Sequence, residues 1–225
     1  MVIGVIGKVG SGKSAAVEFI EREYKAIVFS CDEIAKDIIE KKETDYVALP
    51  PGMFFRSDEA QEECRSKIHK RVFDRINQSI KNILNKNNFN NANQANTNNI
   101  VNNENFETNI SKIENKNNFQ EYLRTKKDKT NFPELFVIEC ALPGEKLFEM
   151  CDKIIYIKNS YEDKVRLLYE KRGYTEDVTK LIYDSQAYYD KFYDRADITI
   201  INDGTKADLE KKVKEVVDEI YIIRK

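Results

Sequence analysis

Histidine is nearly absent from this 225-residue chain, which has His69 alone, and its four cysteines, Cys31, Cys64, Cys140 and Cys151, never fall in a C-x-x-C spacing. Zinc sites draw on clustered cysteine and histidine, so no zinc module is expected. The scattered cysteines also give no disulfide framework and suit a reducing compartment. Long apolar runs are missing too, with no stretch near the roughly 18 residues that a membrane span requires. The amino terminus lacks a basic segment followed by an apolar core and a cleavage site. A cytoplasmic location with no membrane partner is the expectation. An excess of one charge is likewise lacking, since 37 basic residues face 39 acidic ones for a formal net charge of -2. Without a global basic field, nucleic acid is not the expected partner, whereas a phosphate-rich small molecule needs only a local cluster of cations. A chain of this length can bury a sizeable core, and a single α/β domain acting as a monomer is the default.

What is present begins at the second residue. Val2-Ile3-Gly4-Val5-Ile6 reads as a short apolar strand and runs into Gly7-Lys8-Val9-Gly10-Ser11-Gly12-Lys13-Ser14, which fills every position of G-x-x-x-x-G-K-[ST]. Glycines let such a loop approach a phosphate chain and turn successive N–H groups inward as an anion nest. Lys13 then opens a helix whose N-terminal dipole favours phosphate, and its ammonium can reach the β and γ oxygens. Ser14 supplies a hydroxyl for Mg²⁺. The expected ATP contacts are Val9, Gly10, Ser11, Gly12, Lys13, Ser14 and Ala15. Val17, Ile20 and Tyr24 follow at helical spacing and would bury that helix against a sheet. A glycine-rich turn before an ordinary helix is the plain alternative, but it does not require strand, helix and all motif positions together.

Beyond the loop, apolar strands alternate with helices. Strands are expected at Val2–Ile6, Ala26–Phe29, Leu135–Glu139, Ile154–Ile157 and Asp197–Ile201. Ser160 with Asp163, and Thr205 with Asp208, read as capping boxes that start helices. A long helix from about Ser57 to Leu84 carries Ala60, Cys64, Ile68, Val72 and Ile76 on one side. Such alternation implies a five-stranded parallel sheet covered on both faces. One segment departs from this pattern: from about Asn82 to Asn118, asparagine makes up close to half of the residues. That composition cannot bury enough apolar surface to offset its ordering entropy, so residues 82–131 read as a low-complexity surface insertion.

Ligands in parallel sheets sit at the carboxyl ends of the strands, which directs attention to the residues just past each one. Asp32, after the second strand, could accept a proton from a substrate hydroxyl or hold a metal-bound water. Equally, it could N-cap the helix that carries Ile34 and Ile38. Glu139 and Glu145, near the end of the third strand, suit either a substrate contact or a solvated loop. Arg172, beside Gly173 at a helix end, has the fixed charge that stabilises a transferring phosphoryl group. An exposed arginine offsetting a helix C-terminus is the alternative. Asn202 and Gly204, after the last strand, could edge the adenine or simply connect strand to helix.

Taken together these residues resemble the dephospho-coenzyme A kinase family. The resemblance lies in Ile3-Gly4-Val5-Ile6-Gly7 with Val9-Gly10-Ser11-Gly12-Lys13-Ser14, in Cys31-Asp32-Glu33-Ile34-Ala35, and in Gln186 followed by Ala196-Asp197-Ile198-Thr199-Ile200-Ile201-Asn202-Asp203-Gly204. It covers most of residues 1–81 and 132–221. It implies a three-layer P-loop NTPase sandwich with a helical acceptor-binding region over 43–81 and a lid-like helical region over 166–195. It further implies that Asp32 is the base, that Arg172 is the lid arginine, and that His69, Glu139 and Glu145 stand at substrate-binding positions, with Lys70 where the family has proline after its histidine. Ser30 replaces an aspartate, Ala141-Leu142-Pro143-Gly144-Glu145 replaces Pro-Leu-Leu-Phe-Glu, and Ile182 replaces a second arginine. The stretch from Glu43 to Arg56 is short and different.

The expected activity is ATP- and Mg²⁺-dependent phosphorylation of the 3′-hydroxyl of dephospho-coenzyme A. A nucleoside monophosphate kinase would share the core but would need a cation, not Asp32, to meet an anionic acceptor. A nucleotide-binding module without transfer would explain the divergent acceptor region but not the pairing of Asp32 with Arg172.

Overall fold

Five short strands rich in β-branched and aromatic residues, β1 (Val2–Ile6), β2 (Ile27–Ser30), β3 (Phe136–Cys140), β4 (Lys153–Lys158) and β5 (Ile198–Ile201), pair in the order β2-β3-β1-β4-β5. Every pairing is parallel, because each strand is followed by at least one helix that returns the chain to the same edge. This computed structural model describes residues 1–49, 51–54, 56–95 and 135–223. Central β1 is fully buried at Ile3, Val5 and Ile6. Its alternating side chains serve two layers. Ile3 and Val5 join Phe19 and Ile20 of the helix Lys13–Tyr24 and Leu209, Val213 and Val217 of the helix Lys206–Ile223 in one core. On the other face Gly4 lies against Ile154, Cys151 and Leu147, the last from the short helix Glu145–Met150.

Four of the five strands differ from their expected bounds by one residue at one or both ends. Backbone register, not hydropathy, decides the ends: the ladder pairs Ser30 with Glu139 and Lys158 with Ile201, so polar end residues are included. Both expected caps form, one of them as a reciprocal box. Ser160 Oγ accepts the Asp163 N–H at 3.0 Å and donates to Asp163 Oδ2 at 2.9 Å, while Thr205 N–H donates to Asp208 Oδ2 at 2.9 Å and Asp208 N–H to Thr205 Oγ1 at 3.2 Å.

The long helix expected from Ser57 to Leu84 is present but is not uniform. Ser57 caps Asp58–Cys64 by accepting the Ala60 N–H at 3.1 Å, a π-helical turn follows over Arg65–His69, and an α-helix runs over Lys70–Ala95. The apolar residues explain the turn. Ala60, Ile68, Val72, Ile76 and Ile80 are buried and repeat at multiples of four, so the stripe drifts about 40° per repeat on an ideal α-helix. A single wider turn takes up part of that drift and keeps the stripe facing the core.

The helix also does not stop where asparagine becomes abundant. It continues to Ala95, because extending a formed helix costs far less than nucleating one. The remainder of the 82–131 insertion lies outside the described residues. Two compact units divide the chain, Met1–Lys81 with Glu134–Lys225, and Asn82–Pro133. The site described below belongs wholly to the first. Among the described residues, no helix is long and apolar enough to cross a membrane.

Candidate active site

The loop between β1 and its helix owes its shape to two left-handed glycines and to side chains from outside it. Gly12 has φ 98° and Gly10 has φ 79°. A Cβ at Gly12 would strike the Asn202 side chain, and one at Gly10 would meet Leu168 at 3.0 Å. Asn202 Nδ2 donates to Ser11 O at 3.0 Å, and Asn159 Nδ2 donates to Gly10 O at 2.9 Å. Three of the seven amides expected to face ATP are already engaged within the protein. Val9 N–H donates to Gln186 Oε1 at 2.9 Å, Ser11 N–H to Lys8 O at 3.1 Å and Ala15 N–H to Gly12 O at 3.1 Å. The donors left at this helix N-terminus are those of Gly10, Gly12, Lys13 and Ser14.

Lys13 is buried, with its Nζ donating to Lys8 O at 3.2 Å. Burial pushes its pKa down, the carboxylates of Glu139 and Asp32 oppose that, and Arg172 adds to it. Glu139, Asp32 and Arg172 thus all lie within electrostatic reach of the Lys13 ammonium. Ser14 Oγ donates to Glu139 Oε1 at 2.8 Å. The cleft around them is lined by Val9, Gly10, Gly12 to Ala15, Asp32, Glu139, Ala141, Leu167, Leu168, Lys171 and Arg172. No group of three or more His, Cys, Asp or Glu able to hold a metal occurs among the described residues.

The structure places the helix cap at Ser30 and not at Asp32. Ser30 is the residue that caps the helix Cys31–Glu40, its Oγ accepting from Glu33 N–H at 3.4 Å, and Asp32 sits one residue inside with its side chain exposed on the cleft. Arg172 ends the helix Tyr161–Arg172, capped by Gly173 at φ 66°, and reaches the same cleft.

His69 lies half-buried in the π-helical turn, with Phe73 and Tyr189 rings 6.4 and 6.5 Å away. Burial, with Arg65 adding to it, lowers its pKa to about 4, so the ring is neutral at pH 7. It does not line the nucleotide cleft. Glu145 is held elsewhere, its carboxylate gripped by Arg195 at 2.8 and 2.9 Å, and it too is outside that cleft. Asn202 supports the loop through Ser11, while exposed Gly204 packs beneath Asp208. Leu167, Leu168 and Lys171 were not anticipated, although they share a helix with Arg172. Asn159 was also overlooked, and its place directly past β4 was the available signal.

A phosphate-binding loop leaving the central strand of a parallel 2-3-1-4-5 sheet, faced by a carboxylate past β2 and by an arginine from the helices past β4, defines an α/β P-loop kinase. Residues 1–208 match the model of the dephospho-CoA kinase family. The chain belongs to that family, for which ATP is the co-substrate. It is 26% identical to a dephospho-CoA kinase of Fusobacterium nucleatum over 98% of both chains, and 26% identical to one of Corynebacterium glutamicum over 97% of this chain and 96% of that one. Among solved structures it resembles a Thermus thermophilus protein (18% identity, 97% of each chain, TM-score 0.57). It also resembles a shikimate kinase of Acinetobacter baumannii (13% identity, 97% of this chain and 93% of that one, TM-score 0.54). These two likenesses speak to the fold.

Proposed function

We propose that this cleft transfers the γ-phosphoryl group of ATP to the ribose 3′-hydroxyl of dephospho-CoA, with Asp32 receiving the proton. The observation that carries this reading is the meeting of Lys13, Asp32, Glu139 and Arg172 in one cleft, with Asp32 released from capping duty by Ser30. The acceptor oxygen forms a bond to the γ-phosphorus, the bond from that phosphorus to the ADP oxygen breaks, and the hydroxyl proton passes to the Asp32 carboxylate. Lys13 exchanges Lys8 O for phosphate oxygens, and the Gly10, Gly12, Lys13 and Ser14 amides donate to the same chain of anions. Arg172 sets its planar cation against the charge spread over the transferring group. Half-buried, neutral His69 would stand in the acceptor region as a hydrogen-bonding surface, not as a charge.

The donor set suits Mg²⁺. A hydroxyl with a carboxylate 2.8 Å from it is the kind of sparse oxygen set that this ion takes beside nucleotide phosphates and waters. Held there, Mg²⁺ would offset the negative charge of the nucleotide phosphates. Ser14 would ligate it directly, and Glu139 would orient the hydroxyl or a bound water.

Release of ADP, followed with ATP alone, with dephospho-CoA and with AMP, tests the reading. ADP formation that requires dephospho-CoA supports it. Turnover with AMP, or none with either acceptor, contradicts it.

A further inference from the structure

Lys8 occupies a position of the loop motif that phosphate chemistry leaves open, and its side chain turns away from the cleft. Its ammonium donates to Asp190 Oδ1 at 2.8 Å and stands 4.1 Å from the centre of the Tyr183 ring, with the side chain only 7% exposed. Both partners belong to the helical segment that follows Arg172 and Gly173, Tyr183 in the helix Glu176–Ser185 and Asp190 opening the short helix Asp190–Tyr193. Between them Gln186, 1% exposed, accepts the N–H of the very next loop residue, Val9. A buried ammonium set on one carboxylate and one ring face has little freedom to move, because no other site would repay its lost hydration.

The anchoring reaches the chemistry through the Lys8 backbone. Lys8 O accepts both Lys13 Nζ at 3.2 Å and Ser11 N–H at 3.1 Å, so the place of this carbonyl fixes where the phosphate-binding ammonium waits and how the loop turns. We propose that Lys8 is a positioning residue for the nucleotide: seated between Asp190 and Tyr183, it ties the phosphate loop to the helices after Arg172 and sets the location of Lys13. The inference concerns ATP and rests on the kinase reading only for its loop, so it can fail while the acceptor assignment stands, and the reverse.

Direct titration of the full chain with ATP, without acceptor, tests it, alongside steady-state kinetics with dephospho-CoA. Lys8→Met is expected to weaken ATP binding by about tenfold and Asp190→Asn by about threefold, since each removes a charge-assisted hydrogen bond. The double variant should be no worse than Lys8→Met, because both changes break one interaction. Lys8→Arg should recover most of the loss, and the KM for dephospho-CoA should stay within about twofold. ATP affinity within twofold of the parent in folded Lys8→Met and Asp190→Asn would overturn the proposal. So would a parallel rise in both substrates' constants with a lowered melting temperature, which marks general packing. If Lys8→Met does not fold, Asp190→Asn decides by the same twofold threshold.

Discussion

Ser14 and Glu139 are hydrogen-bonded at 2.8 Å, joining the first turn after the phosphate loop to the end of β3 across 125 residues of sequence. The strand register produces this meeting, because pairing Val5 with Glu139 brings the β3 carboxyl end beside the loop that leaves β1.

Removing either half of that pair should raise the Mg²⁺ requirement. Ser14→Ala loses the hydroxyl, and Glu139→Gln keeps the shape but loses the charge. Each should increase the Mg²⁺ concentration for half-maximal rate by roughly tenfold or more, as loss of a metal ligand or its orienting partner does. A Mg²⁺ titration of initial rate reads the effect, and an unchanged midpoint in both variants would remove the metal role from this pair.

Ser30 and Asp32 divide two duties that the sequence alone left to one residue. Asp32→Asn should lower kcat by about 10²-fold or more with ATP affinity nearly unchanged, while Ser30→Ala should cost about 1 kcal/mol of stability and little turnover. Steady-state kinetics and thermal unfolding, run on both variants, check the division. Reversed outcomes would return the cap to Asp32.

Lys13→Ala and Arg172→Met should each depress kcat by about 10²-fold or more, since both charges act on the phosphates as negative charge shifts. The folds should survive. Arg172 is exposed at a helix end, and its replacement should leave the melting temperature within a few degrees.

Stability should depend on pH through two desolvated groups, buried Lys164 and half-buried His69, with separate windows and the same sign. Burial, with Lys8 and Lys158 adding to it, lowers the Lys164 pKa to about 8, against an ordinary 10.5. The unfolded chain therefore holds more protons between those values, and the fold gains stability as pH rises through about 8 toward 10. His69, lowered to about 4 from 6.5, acts on the acid side: its contribution is complete above 6.5 and is lost as pH falls toward 4. Chemical unfolding at successive pH values should show each slope reduced in Lys164→Met and His69→Gln respectively. Slopes identical to the parent's would contradict the assignment.

The phosphate loop was readable because its chemistry fixes residue types at fixed spacing, and the parallel sheet because short, mainly apolar strands alternate with helices. Tertiary partners were not. Nothing local in Glu145 announces Arg195, 50 residues away, and nothing in Val9 announces that its N–H belongs to Gln186, 177 residues on. Asp32 and Ser30 are both good caps two residues apart, and only backbone geometry chooses between them. The π-helical turn over Arg65–His69 interrupts the single helix expected there, because its place depends on the core against which the Ala60-to-Ile80 stripe packs.

Product identity tests the central claim most directly. The purified chain, incubated with ATP, Mg²⁺ and dephospho-CoA, should convert the acceptor to a species bearing one new phosphomonoester on the ribose 3′-oxygen, in equal amount to ADP, as read by phosphorus NMR and mass spectrometry. Lys13→Ala and Asp32→Asn should form it far more slowly. Phosphate placed on any other oxygen, or ADP accompanied by free phosphate and unchanged acceptor, would contradict the account.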